Sequence, residues 1–264
     1  MHFASMRLSA RQIGVLVKQS LLDPHRASSL GATWFFIQPL VYIVIYSTVF
    51  SGLMSARMAS AAGYSHVSYS AYLIPGILAW NVFSGSVQAT AQAFVAKAYL
   101  IKKIQVDMAV LPLYAPVVEY IVWLVSMLCF AAFCALWIVP LHAGWLMLPV
   151  LCALLALLGY GVGLILAVLG SFVPDVRPMT SIAVQLLFWM TPIVYLPELL
   201  PAWAQPFLDF HPVYWQIVNM QNIVLHRPVV AAYFYASLGL TVGVLGMAMW
   251  MARRFEKDIR DLVS

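Results

Sequence analysis

The sequence predicts an all-α integral membrane protein: six transmembrane helices, an N-terminal amphipathic helix in the interface, and a re-entrant helix pair between spans five and six. Three observations carry that expectation. First, 64% of the 264 residues are apolar and 9% are charged, with a mean hydropathy of +0.92; an ordinary soluble domain has about 45–50% and about 25%. A soluble fold of this length still exposes about a quarter of its unfolded area and cannot hide so much apolar surface. Second, six apolar runs approach the roughly 20 residues that cross hydrocarbon. Third, the cations are unequally shared. One side collects Arg7, Arg11, Lys18, Arg26, Lys97, Lys102, Lys103, Arg177, Arg253, Arg254, Lys257 and Arg260, and the other has Arg57 and Arg227, twelve against two. Cytosolic loops gather Lys and Arg, so both termini are expected in the cytosol, which requires an even number of spans.

The elements follow in order. In residues 1–32, Arg7, Arg11 and Lys18 fall within about 40° on one helix face, with Met6, Ile13, Leu16 and Val17 opposite. This predicts a helix lying in the cytosolic interface, with a solvated cytosolic helix as the alternative. Cations spread among apolar residues do not make a signal peptide. Asp23-Pro24 ends the helix. The bundle occupies 33–251, with spans near 33–54, 71–95, 111–139, 147–173, 180–196 and 229–251 and a cytosolic tail at 252–264. No internal repeat is visible, which weighs against an inverted-repeat secondary transporter.

Two connections stand out. The cytosolic loop at 97–110 carries Lys97, Tyr99, Lys102, Lys103 and Gln105. It is short, basic and amphipathic, which suits either plain charge bias or a docking helix for a cytosolic partner. The outer connection at 197–228 contains Pro197, Pro201, Pro206, Pro212 and Pro228 among Trp203, Phe207, Tyr214 and Trp215. It is too apolar for a free loop and too broken to span. Segments 198–210 and 213–225 read as two short helices dipping into the outer leaflet, an outer gate over a conduit; an aromatic interfacial belt is the alternative.

Chemistry-bearing residues are few. The chain contains no GxxxxGK[ST], HExxH or GxSxG motif, so no P-loop ATPase and no recognisable hydrolase is expected here. Cofactors and metals are not expected, because the histidines are scattered. Cys129, Cys134 and Cys152 sit in apolar runs as small hydrophobes. Thinly spread cations exclude a nucleic-acid partner. Glu119, about two turns inside span three, is a functional candidate or snorkels to the near interface. His25 and Arg26, where the interfacial helix meets span one, offer a cation to a lipid diphosphate or simply add to the charge bias. Span one presents Trp34, with Phe35, Gln38, Tyr42, Tyr46 and Val49 on one broad face; span five presents Gln185, Trp189, Pro192 and Tyr195 at steps of four, three and three. Polar atoms at mid-membrane belong inside, lining a channel or hydrogen-bonded across a dimer interface.

Several segments, taken in order, resemble one family. Gly31-Ala32-Thr33-Trp34 with Gln38-Pro39-Leu40 resembles the first span of polysaccharide-exporting ABC transporter permeases, the O-antigen, capsule and teichoic-acid group. Lys102-Lys103 through Leu111-Pro112-Leu113 resembles their coupling region. Asp175-Val176-Arg177 with Gln185, Trp189, Pro192 and Tyr195 resembles their fifth span, and His211-Pro212 through Leu225 their outer re-entrant helix. The resemblance implies a homodimer of six-span subunits in the bacterial inner membrane, joined to two copies of a separate ATPase subunit. It further implies a channel for polysaccharide carried on undecaprenyl diphosphate, with the coupling helix at 97–107. The bottom-up reading points the same way. A membrane chain without a motor and without an ion-binding carboxylate group needs external energy, and neutral polar and aromatic linings suit sugars. A drug or lipid exporter permease, a secondary transporter and a membrane-embedded transferase are the rival classes.

Overall fold

The computed structural model describes residues 10–22, 30–46, 48, 66–103, 106–137 and 141–263. The expectations placed on Arg7, His25, Arg26, Val49, Arg57 and Gln105 lie outside them. Ten α-helices form among the described residues, and no β-strand. They are α1 (Ala10–Leu22), α2 (Trp34–Ile45), α3 (His66–Ala96), α4 (Ala98–Lys103), α5 (Tyr114–Trp137), α6 (Leu148–Phe172), α7 (Val176–Met190), α8 (Pro212–Val224), α9 (Ala231–Arg254) and α10 (Glu256–Val263).

Among the described residues three stretches are long and apolar enough to cross a membrane: Leu111–Leu136, Ala143–Phe172 and Ala231–Arg254. They coincide with the third, fourth and sixth apolar runs. α3 is longer still, at 31 residues, or about 46 Å at 1.5 Å per residue. Its serine, asparagine and glutamine side chains dilute its hydropathy. α2 and α7 have 12 and 15 helical residues, fewer than the roughly 20 of a full crossing. α7 ends at Met190 because Pro192 disfavours helical backbone at Thr191, which is extended; the Thr191 hydroxyl donates to the Leu187 carbonyl at 2.7 Å. Pro192 and Tyr195 therefore lie beyond the helix, not on the span-five face expected from their spacing.

The centre of the bundle is the contact of α3 with α6. Its cause is a pair of glycines one turn apart on α6. A Cβ on Gly159 would lie 2.8 Å from Ser86 Cβ and 2.9 Å from the Phe83 carbonyl; one on Gly163 would lie 2.7 Å from both Thr90 Cβ and the Val87 carbonyl. Small residues on both helices let the backbones approach, which is how helices gain packing where no hydrophobic drive separates protein from lipid. The core then divides along the bundle. One apolar cluster joins α2, α3, α5, α6 and α8. The other, at the lysine-rich end, joins α1, α4, α10 and the adjoining ends of α3, α5, α6 and α9. Leu16 and Val17 of α1 are buried in it, while Arg11 and Lys18 face outward, as an amphipathic helix requires.

The outer connection is half as helical as its sequence suggests. Segment 198–210 forms only 3₁₀ turns at Pro197–Leu199 and Gln205–Phe210, because Pro197, Pro201 and Pro206 each remove a backbone donor. α8 does form, and it is buried against α3, α6 and α9. Two of its polar residues find distant partners, whereas both side-chain polar atoms of the buried Gln221 have none among the described residues. Gln216 donates to Ser237, and Asn219 accepts from the Val230 amide at 2.8 Å and donates to the Val230 carbonyl at 3.3 Å.

Candidate functional site: a polar groove between α2, α3 and α7

On α3, Asn81, Ser84, Gln88 and Gln92 recur at steps of three, four and four, one stripe along one face. On α7, Ser181, Gln185 and Trp189 recur at steps of four. Asn81, Ser84 and Gln88 face the α7 stripe across a cleft of about 660 Å³, closed on a third side by Tyr46 of the α2 C-cap. Trp80 packs on Phe188 with centroids 5.5 Å apart, and Phe188 meets Trp189 edge-on at 5.3 Å. Trp189 is 62% exposed within the subunit. The groove continues toward the lysine-rich end, where Ser181 also borders a cleft of about 350 Å³ with Gln92 and Arg177.

The structure thus brings together Tyr46, Gln185 and Trp189 of the expected lining. Tyr42 stacks on Tyr46 at 6.0 Å and is exposed, as is Trp34. The side chains of Phe35 and Gln38 lie outside the described residues. Tyr195 reaches back from the turn, its hydroxyl donating to the Trp189 carbonyl at 3.0 Å. Sequence reasoning missed the α3 stripe, although its spacing was the available signal. Amides and hydroxyls facing a cleft in a membrane bundle need water or a polar ligand, because each unpaired group costs about 1–3 kcal/mol. The described lining of the 660 Å³ cleft holds no charged side chain. It can exchange hydrogen bonds with neutral hydroxyls and stack aromatic faces on apolar ring faces.

At the lysine-rich end, α4 presents Tyr99, 69% exposed, with Lys102 and Lys103. Lys103 donates to the Tyr99 hydroxyl, and Lys97 lies 5.1 Å from the centroid of the Tyr114 ring. The helix is firmly held. Ile101 and Val106 are buried with Ile259 of α10. Arg260 donates to the Val106 carbonyl and pairs with Glu256 at 2.8 Å. Asp107 accepts from the Ala109 amide at 2.8 Å, and the Tyr160 hydroxyl donates to the Ala109 carbonyl. Read as a sequence, α10 is only part of the cytosolic tail, because its buried Ile259 sits among charges.

At the opposite end, Trp203 and Phe207 are exposed and Tyr214 is buried. Trp215 stacks on Tyr233 at 6.2 Å and donates to the Asp209 carbonyl at 2.9 Å; the Tyr233 hydroxyl donates to the Asp209 carboxylate at 2.5 Å. His211 caps α8, its Nδ1 accepting from the Tyr214 amide at 3.1 Å, with Nε2 3.2 Å from the Thr191 hydroxyl. Burial pushes the His211 pKa below its ordinary value, which favours the neutral ring that an accepting Nδ1 requires. His142 and His226 meet at 4.2 Å, but His142 spends its ring on the Gly144 amide and the Ile223 carbonyl. Among the described residues no three His, Cys, Asp or Glu side chains converge as a metal site. Glu119 lies against α3, its carboxyl filling the place of a side chain at Gly85.

These features define a multi-pass helical membrane protein with a neutral groove and an exposed basic helix at one end. The sequence model of the ABC-2 type transporter family matches residues 11–225, and the chain belongs to that family. It is a permease of an ABC transporter. Two O-antigen export system permease proteins RfbA from Klebsiella pneumoniae are each 23% identical to it over 247 residues, 92% of either chain. The protein of the same name from Myxococcus xanthus is 28% identical over 97 residues, 37% of this chain and 34% of its own.

Proposed function

We propose that this chain is the transmembrane subunit of an ATP-driven exporter that moves an O-antigen-type polysaccharide, carried on undecaprenyl diphosphate, across the bacterial inner membrane. The observation that carries this reading is the neutral polar and aromatic groove between α3 and α7. It suits sugar hydroxyls and ring faces better than ions or hydrophobic drugs. Two subunits would close their grooves on one another as a homodimer. Trp34, Phe35, Gln38, Tyr42, Tyr46, Gln185, Trp189 and Tyr195 would line the channel together with the α3 stripe. Trp203, Phe207, Tyr214 and Trp215 would form the outer gate, and the segment with Lys97, Tyr99, Lys102, Lys103 and Gln105 would dock two copies of a separate ATPase. His25 and Arg26 remain candidates for the lipid diphosphate. Glu119 remains a candidate intramembrane acid.

In this reading α2, α3, α5, α6, α7 and α9 belong to six spans and both termini are cytosolic. Single cysteines at Ser55 and Ser264 are expected to react with an impermeant thiol reagent from opposite faces of spheroplast membranes. Labelling from the same face rejects six spans. The transport assignment is tested at its motor contact. A photocrosslinker at Tyr99, which is exposed on the helix that packs against α10 through Ile101, is expected to capture an ATP-hydrolysing chain encoded separately. Capture by α1 alone, with none from Tyr99, moves the docking site elsewhere. Loss of polysaccharide from the cell surface on deleting the chain, restored by the intact chain, is the expected cellular result.

A further inference from the structure

We propose that α7 sorts the two halves of a lipid-linked anion onto its two faces, with Arg177 holding the phosphate at their junction. This rests on the reading above and names where its carrier binds. One face of α7 carries Ser181, Gln185 and Trp189 and borders the polar groove. Another face, with Met179, Ala183 and Leu187, borders a separate cleft of about 490 Å³ completed by Phe83, Val87 and Leu166. Of that second lining, apart from the Thr180 hydroxyl, which is spent on the Val176 carbonyl at 2.7 Å, every side chain is hydrocarbon or thioether. Polar and apolar cavities on opposite sides of one helix match an amphiphile, not a free anion or a sugar alone.

Arg177 stands where the two faces begin. It borders the 350 Å³ cleft with Gln92 and Ser181. Gly170 has no side chain, so the Arg177 stem lies across α6, its Cγ 3.2 Å from where a Cβ would be. One terminal nitrogen donates to the Gly170 carbonyl at 2.7 Å. Among the described residues this is the guanidinium's one hydrogen bond, and it uses one of five N–H donors. Among the described residues no carboxylate pairs with it; Asp175, two positions earlier, is exposed and makes no ion pair with it. A half-buried guanidinium without a counter-ion, beside an amide and a hydroxyl, is a donor set for phosphate oxygens. The planar fork takes two of them at once. The ligand is therefore a phosphate or diphosphate joining a hydrocarbon chain to a polar group. A polyisoprenyl diphosphate bearing sugar has that form, and its sugar would enter the groove at Ser181.

The test uses the complete transporter in phosphatidylcholine nanodiscs and radiolabelled, sugar-free polyisoprenyl diphosphate as the probe. Arg177→Gln is expected to weaken retention at least tenfold and Arg177→Lys less, since lysine keeps the charge and loses the fork. Ala183→Trp, which fills the apolar cleft from an exposed position, is expected to weaken it at least fivefold. Inorganic pyrophosphate, the uncharged polyisoprenol and phosphatidylglycerol, each equimolar with the probe, are expected to displace little of it. Wild-type retention by assembled Arg177→Gln overturns the proposal, and so does displacement by phosphatidylglycerol as effective as by unlabelled probe. Should Arg177→Gln fail to assemble, Ala183→Trp decides, because it leaves Arg177 in place: unchanged retention overturns the proposal. Failure here with polysaccharide export intact leaves the export function standing. Arg177-dependent binding in a transporter that exports no polysaccharide rejects the export function and keeps the site.

Discussion

Leucine at Gly163 should prevent the subunit from folding. A Cβ there would sit 2.7 Å from the Val87 carbonyl oxygen and from Thr90 Cβ, and neither can swing aside, since one is backbone and the other is fixed to it. α3 and α6 must then separate, and with them the most extensive helix contact in the bundle. Overpacking a tight core costs about 1–3 kcal/mol for modest insertions; Gly163→Ala falls in that range, and leucine exceeds it. Two other glycines calibrate the effect. At Gly239 an added Cβ meets nothing within 4 Å, so Gly239→Ala should leave subunit stability within about 0.5 kcal/mol. At Gly85 the Cβ meets the Glu119 carboxyl, the free end of a flexible chain, so Gly85→Ala should fold. Thermal unfolding in detergent, followed by tryptophan fluorescence, ranks the three. A Gly163→Leu protein as stable as Gly239→Ala would show that α3 and α6 do not need their close approach.

The contrast among these glycines also marks what the sequence could say. Gly159 and Gly163 stand one turn apart in an apolar run, a visible small-residue pattern, yet nothing local reveals that Ser86 and Thr90 are their counterparts. Apolar windows located α5, α6 and α9 because those helices spend their length among hydrocarbon groups. The same windows hid the site. As an apolar run α3 reads as a span, and its Asn81, Ser84, Gln88 and Gln92 average into that run instead of standing out as a face. The lining expected on spans one and five met the groove at Tyr46, Gln185 and Trp189, where helical spacing holds. It missed the placement of Tyr195, where Pro192 had already ended the helix. Buried polar residues of α8 were illegible for another reason. The Gln216 Nε2 is paired with Ser237 and the Asn219 amide with the Val230 backbone, and such pairings become known only when the chain is folded. Ile259 is a similar case, since a lone isoleucine in a charged helix means little until Ile101 and Val106 lie beneath it.

Asn81→Leu and Gln88→Leu should slow polysaccharide export while the transporter still assembles, and Trp189→Ala and Tyr42→Ala should do the same. The leucine substitutions keep bulk and remove only the polar atoms. If sugar hydroxyls pass along the α3 stripe, each change takes away a hydrogen-bonding station and leaves passing groups unpaired at about 1–3 kcal/mol apiece; a double replacement is then expected to cut the rate at least tenfold. Were the groove filled with lipid, the same leucines would fit as well as the amides, and export would be unchanged. The aromatic pair separates conduit from interface. Trp189 is 62% exposed within the subunit, so truncating it removes little from the fold of one chain. If it seals two subunits together, its loss should appear as dissociation of the dimer, at up to the roughly 3–5 kcal/mol of a large-to-small change in a packed core, with transport per intact dimer preserved. If it lines the path, the dimer should persist and transport per dimer should fall. Measuring exported polysaccharide against assembled complex, with subunit stoichiometry followed in parallel, tells the two apart. Unchanged export per complex in all four variants would remove the groove from the transport path.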